Sequence, residues 1–137
     1  MKSQRYLTAR KWIVRVILLF GAYLYFSIGR RFVFDPATTA GHFGIVLPQP
    51  ESMTMVRAIV GGFFWGMSAT ALYGLIRQNR TVASLWVLVT FIFFVLIGRV
   101  TGVLIDGSVP INLSELQNET QGFLMYAVAL YLAPRPA

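Results

Sequence analysis

Four charged side chains fall inside or at the edge of long apolar runs: Arg57, Arg99, Asp106 and Glu119. Arg99 precedes Asp106 by two helical turns, so the two share a face, with roughly 10 Å of helix between them. Arg57 lies one turn inside the second apolar run, and Glu119 one turn inside the last. An arginine within hydrocarbon costs about 2.5–3.5 kcal/mol on insertion scales, so each should face protein and meet an acid. Glu119 and Asp106 are the acids within reach, with Glu115 nearer the surface. Three kinds of chemistry fit this set. The first is a structural ion-pair network that locks helices two, three and four, with arginines snorkelling outward. The second is a polar pocket for an anionic headgroup, a quinone-like molecule or a small substrate. The third is general acid or base work by Asp106 or Glu119 on a lipid, which two carboxylates beside arginines permit and nothing requires. Polar glue between membrane helices is common, so the structural reading comes first.

Other chemistries are excluded or weak. The chain has no cysteine, which removes disulfides, thiolate zinc sites, iron–sulfur clusters and cysteine nucleophiles. His42 is the single histidine, so one chain cannot build a histidine metal site, and no metal or cofactor is expected. Phosphate loops, dinucleotide fingerprints and nucleophile elbows are absent. Met53, Met55, Met67 and Met125 read as packing residues, and Tyr23, Tyr25, Tyr73, Tyr126 and Tyr131 as interfacial or core residues. Asn112-Leu113-Ser114 and Asn118-Glu119-Thr120 match the glycosylation acceptor pattern, but lie close to the membrane.

The elements that must position these residues follow from composition. The 137-residue chain is 56 % hydrophobic and only 12 % charged, and its mean hydropathy is +0.64. A soluble fold of this size could not hide that much apolar surface. A charge of +7 could suggest nucleic acid. The charges instead fall in short clusters between apolar runs, which is a topological pattern, and nucleic acid is not an expected partner. The sequence predicts an all-α integral membrane four-helix bundle, one transmembrane domain over residues 1–137. The spans are expected at about 12–29, 54–76, 82–105 and 115–133, each near the roughly 20 residues that cross a hydrocarbon core. The first run is too long for a signal h-region and reads as a retained helix. Ser114 with Gln117 resembles a capping box for span four, and Thr81 is a candidate cap for span three.

Lysine and arginine bias sets the direction. Lys2, Arg5, Arg10, Lys11, Arg77, Arg80 and Arg135 fall on one side, whereas all five acids (Asp35, Glu51, Asp106, Glu115 and Glu119) belong to the other, flanked by Arg30 and Arg31. Both termini are therefore expected in the cytoplasm, with Trp12 and Trp86 near the inner interface and Arg15 snorkelling one turn inside span one. The long first outer loop, about 30–53, should hold a short interfacial helix over Ala37 to His42, capped by Asp35 with Pro36 at its first position. Gly41, Gly44, Pro48 and Pro50 forbid long regular structure beyond it. Phe32, Phe34, Phe43, Ile45, Val46 and Leu47 should lay the loop on the membrane surface or over the mouth of the bundle.

A second pattern concerns packing. Ala58, Gly62, Gly66, Thr70 and Gly74 recur every four residues, and Gly98 and Gly102 add the same spacing beside Arg99. Small-xxx-small stripes let helices approach closely. The stripe is expected to seat span two against span three, the alternative being homodimerisation.

These residues also carry a family resemblance. Arg57-Ala58-Ile59-Val60-Gly61-Gly62 resembles the arginine-alanine-x-x-glycine-glycine pattern of domain of unknown function 4345, a group of small bacterial four-helix membrane proteins. Gly98-Arg99-Val100-Thr101-Gly102-Val103-Leu104-Ile105-Asp106-Gly107 is similar to that group's glycine-arginine and aspartate-glycine signature. His42-Phe43-Gly44-Ile45-Val46-Leu47-Pro48 resembles its aromatic-glycine segment, and Glu119 matches an acid near the start of its last helix. The first span carries no signature. The resemblance implies a bacterial inner-membrane protein with no assigned activity.

The expected role is that of an accessory or scaffold bundle that stabilises a partner complex or holds lipids. The alternatives are a binding or transport module for a lipid-like or anionic small molecule at the polar cluster, or a lipid-acting enzyme. The reading leans away from an enzyme. Membrane lipids, a membrane-protein partner or a second copy of the chain are the expected partners.

Overall fold

The computed structural model describes residues 2–133 and the side chains of residues 6–133, and these residues are mostly helical with no strand among them. The termini carrying Lys2, Arg5 and Arg135, three of the charges used for orientation, fall outside the described side chains. Helix α1 spans Lys2–Phe34, α2 Pro36–Gly41, α3 Pro50–Val56, α4 Gly62–Ile76, α5 Thr81–Asp106 and α6 Pro110–Leu132. A π-helical turn, Arg57–Gly61, joins α3 to α4, and a 3₁₀ turn, Gln78–Arg80, joins α4 to α5.

Three stretches are long and apolar enough to cross a membrane: Tyr6–Phe34, Pro50–Ile76 and Gln78–Asp106. Each outruns the expected span because the helix continues past the apolar run. α1 carries on through Arg30 and Arg31, which are exposed in its last turns. α6 does form a helix of 23 residues, but it is not among the three. Its polar residues, from Asn112 to Gln121, fill its first half and leave an apolar stretch only from Gly122 to Leu132.

Neighbouring helices run antiparallel. Gly61 lies against Gly29 and Val33, and Gly74 against Leu18, which pairs α4 with α1. Phe63 meets Phe91 at 4.5 Å between ring centroids, joining α4 to α5. Phe93 packs on Phe123, joining α5 to α6. Tyr25 stacks on Tyr126, which returns α6 to α1. The core is built from Val14, Leu18, Ala22, Met67, Ala71, Leu85, Leu88, Tyr126 and Ala129. Two polar bonds tie backbones inside it. The Ser68 hydroxyl donates to the Ala22 carbonyl at 2.7 Å, and the Thr81 hydroxyl donates to the Gly74 carbonyl at 2.7 Å.

The ends of the helices correct two expectations. Thr81 does not cap its own helix. It satisfies one of the last carbonyls of α4, which lack intrahelical donors. Helix α6 starts at Pro110, upstream of the Ser114–Gln117 pair, because proline suits the first helical position. Ser114 then donates back to the Ile111 carbonyl at 2.9 Å. The Asp35 cap is as expected: its carboxylate accepts from the Thr38 backbone N–H at 3.4 Å, with Pro36 at the first position of α2. Gly44 ends the following turn at φ +73°, a left-handed conformation suited to glycine. Phe43 folds back onto Phe32, itself stacked on Phe64, whereas Ile45 and Val46 stay exposed.

The small-residue stripe does not lie in the α4–α5 seam. Ala58, Gly62 and Gly66 are exposed, and nothing lies within 4 Å of a Cβ built on Gly62 or Gly66. Gly98 is equally open. Of the stripe, only Gly74 enters the seam, where a Cβ would meet Ser84. The reason is geometric. An α-helix turns about 100° per residue, so each four-residue step drifts by about 40° and the stripe winds around the helix. The buried face of α4 holds Met67, Ser68, Ala71 and Gly74 instead. The π turn adds a second offset. The Gly62 N–H bonds back to the Arg57 carbonyl, five residues away, which re-aims everything before it. The close backbone approach falls at Gly29 and Gly61, which the stripe does not include.

Candidate functional site

The α5–α6 hairpin brings together one of the expected pairs. Arg99, two turns from the end of α5, meets Glu119, from the first half of α6. Its Nη2 donates to Glu119 Oε1 at 2.8 Å, and its Nε to Oε2 at 3.2 Å and Oε1 at 3.3 Å. The fork-to-fork geometry is that of a bidentate arginine–carboxylate pair, stronger and more directional than a single contact. This is the one ion pair among the described residues, with side chains 26 % and 16 % exposed. The pair is thus partly shielded, which strengthens its electrostatics relative to a surface pair.

Arg57 does not join it. The π turn points its guanidinium at α1, where Nε donates to the Val33 carbonyl at 3.0 Å. Val33 is in the last turn of α1, whose carbonyls lack intrahelical donors, so Arg57 acts as a cap on that helix. Asp106 shares the Arg99 face, as the two-turn spacing predicts, but forms no ion pair with it. Instead its Oδ2 folds back over Gly102, 3.8 Å from where a Cβ would sit.

Beside the ion pair is an open groove of about 350 Å³, lined by Val95, Gly98, Arg99, Gly102, Asp106 and Asn112. The two glycines form its floor, and their missing side chains create the space. Arg99 has its Nε and Nη2 turned to Glu119, leaving Nη1 without a hydrogen-bond partner among the described residues. Glu115 is close enough to act on Arg99 electrostatically. Around the groove one guanidinium thus answers three carboxylates, Asp106 in its lining and Glu119 and Glu115 acting on Arg99.

A second polar contact was not legible as a site. Arg10, read from the sequence as a topological charge, reaches the far end of α6. Its Nη2 donates to the Tyr131 carbonyl at 3.1 Å and its Nε to the Leu132 carbonyl at 3.2 Å. A cation on the terminal carbonyls of a helix complements both their unmet bonds and the macrodipole. Arg15 lies over the Trp12 ring at 5.3 Å, a cation–π contact. Among the described residues no group of three or more His, Cys, Asp or Glu is placed to hold a metal ion.

No curated protein and no solved structure matches the chain. Residues 13–114, which take in α1 from Ile13 onward, α2 through α5, the Arg57 π turn, the Arg99–Asp106 face and the start of α6, match the family described as Domain of unknown function (DUF4345), and the chain belongs to that family.

Proposed function

We propose that this protein is an accessory bundle of the bacterial inner membrane, crossing it four times with both termini in the cytoplasm. The observation that carries this reading is the use made of Arg99. The most costly residue of the apolar helices is held in a bidentate pair with Glu119, so it ties α6 to α5. Glu119 is likewise spent on Arg99, which leaves no free acid–base pair at that depth. The pair also supports the fourth crossing. It neutralises the acid that most disfavours α6 in hydrocarbon, and α6, at 23 residues, is about 34 Å long. Helix α6 packs along α5 and α1, and of its polar half Asn112, Glu115 and Glu119 are half-buried while Ser114, Gln117, Asn118, Thr120 and Gln121 are exposed.

Two experiments test this. The chain has no cysteine, so single reporters are unambiguous. Cysteines at His42 and Ser108 should react with a membrane-impermeant maleimide in intact cells, and one at Asn79 should react only after lysis. The reverse pattern would overturn the orientation, and reaction at Asn79 together with His42 would overturn the crossing between them. For the accessory role, tagged protein extracted in mild detergent should bring down a stoichiometric membrane-protein partner. A monodisperse single chain with no partner would refute it. A second reading, a binding module for an amphiphile, is favoured by the glycine-floored groove beside Arg99.

A further inference from the structure

We infer that the groove on α5 seats a zwitterionic phospholipid whose headgroup carries a primary amine outside its phosphate. The inference rests on α5 being a membrane span and names the ligand class of the groove beside Arg99. Three observations carry it. First, the lining joins small and apolar residues to polar ones: Val95, Gly98 and Gly102 stand beside Arg99, Asp106 and Asn112. Second, the charges along this wall alternate in one sense. Arg99 lies deeper, with Nη1 free, and the Asp106 carboxylate lies nearer the helix end, folded back over Gly102 and without a cationic partner among the described residues. An ethanolamine-type headgroup has the complementary order, phosphate toward the chains and ammonium toward water. About 10 Å of helix rise separates the two residues, and the Asp106 carboxylate reaches back one turn over Gly102. Third, carboxylates outnumber cations around the groove: Asp106 lines it, Glu119 already neutralises Arg99, and Glu115 acts on Arg99 as well. A net anionic lipid would meet repulsion there, whereas a zwitterion presents its ammonium to the carboxylate and only one phosphate to Nη1.

The glycines give the chain-binding half its shape. Nothing lies within 4 Å of a Cβ on Gly98, and only the Asp106 carboxylate approaches one on Gly102. A larger residue at Gly98 would therefore fill the groove without disturbing the fold.

The experiment is native mass spectrometry of the full chain in a mild detergent. The probes are dioleoyl phosphatidylethanolamine and dioleoyl phosphatidylglycerol, which share their acyl chains. Wild type should bind the ethanolamine lipid at least about tenfold more tightly, the equivalent of one charge-assisted hydrogen bond. Asp106→Asn should abolish that preference. Gly98→Leu should weaken both lipids and keep the preference. Equal or tighter binding of the glycerol lipid by wild type overturns the inference, as does a preference that survives Asp106→Asn. Alkaline carbonate extraction of membranes separates this failure from failure of the spanning reading. A chain released by carbonate refutes the span itself, whereas a retained chain with no ethanolamine preference refutes only the lipid site.

Discussion

Replacing Glu119 by Gln tests whether the Arg99 pair is a structural tie. The change keeps the shape of the side chain and removes its charge, leaving the Arg99 guanidinium facing an amide that offers one acceptor. Breaking a fully buried pair by removing one partner costs about 3–5 kcal/mol. Losing one charge-assisted hydrogen bond costs about 1.5–3 kcal/mol. Arg99 is 26 % exposed and Nη1 already borders the groove, so part of its charge can be screened there. The expected cost is therefore near the lower range, about 2 kcal/mol, or about 30-fold in the unfolding equilibrium. Arg99→Gln should also destabilise, because it strands the Glu119 carboxylate. The double variant, with two amides able to bond each other, should lie close to wild type. The assay is reversible unfolding by SDS in mixed micelles, followed by helical circular dichroism, for wild type, both single variants and the double. The cycle should return a coupling close to the sum of the two single losses, above about 2 kcal/mol. If Glu119→Gln unfolds within about 0.5 kcal/mol of wild type, or the double variant costs the sum of the singles, the tie is not structural.

Three further outcomes follow from the packing. Gly21→Ala should destabilise the protein by about 1–3 kcal/mol, because the new Cβ would overlap the Tyr126 hydroxyl. Tyr126→Phe should recover part of that loss and be near neutral alone, since the hydroxyl is buried without a partner of hydrogen-bonding geometry. The same SDS titration reads both, and a Gly21→Ala variant as stable as wild type would contradict the α1–α6 seam. Gly61→Ala should lower the unfolding midpoint and Gly62→Ala should leave it unchanged or raise it, because Gly61 meets the Val33 side chain and backbone while Gly62 faces open space. Equal effects at the two neighbours would contradict the phase set by the π turn. Arg10→Ala should raise hydrogen exchange over the last turn of α6 and leave α5 protected, since it releases the Tyr131 and Leu132 carbonyls.

The charged residues divide by the distance in sequence over which each finds its place. The two-turn spacing of Arg99 and Asp106 is a local property of one helix, and it places both in one groove. The demand that Arg99 meet an acid is set by the cost of burying charge, and it narrows the partner to Glu119 or Asp106 because few acids exist to choose from. Arg57 was different. Its distance inside the second apolar run is visible in the sequence, but its direction depends on a π turn, which has no signature in these five residues. The small-residue stripe failed for a related reason. A four-residue repeat records spacing along the chain, and the drift of the helix turns that spacing into different faces.

The sequence by itself determined that long helices form, that three of the four expected stretches are apolar enough to cross a membrane, and where α2 begins. These follow from local hydropathy, from Asp35 and Pro36 as cap and first residue, and from the breaks at Gly44, Pro48 and Pro50. Tertiary structure alone decided which faces meet. The phase of α4 is set by the π turn and by the backbone contact of Gly29 with Gly61, and Arg10 and Arg57 find helix ends far away in sequence. The physical reason is that helix formation is satisfied within each segment. The choice between Glu119 and Asp106 for Arg99, and the groove left beside that choice, depends on how the segments are rotated against one another.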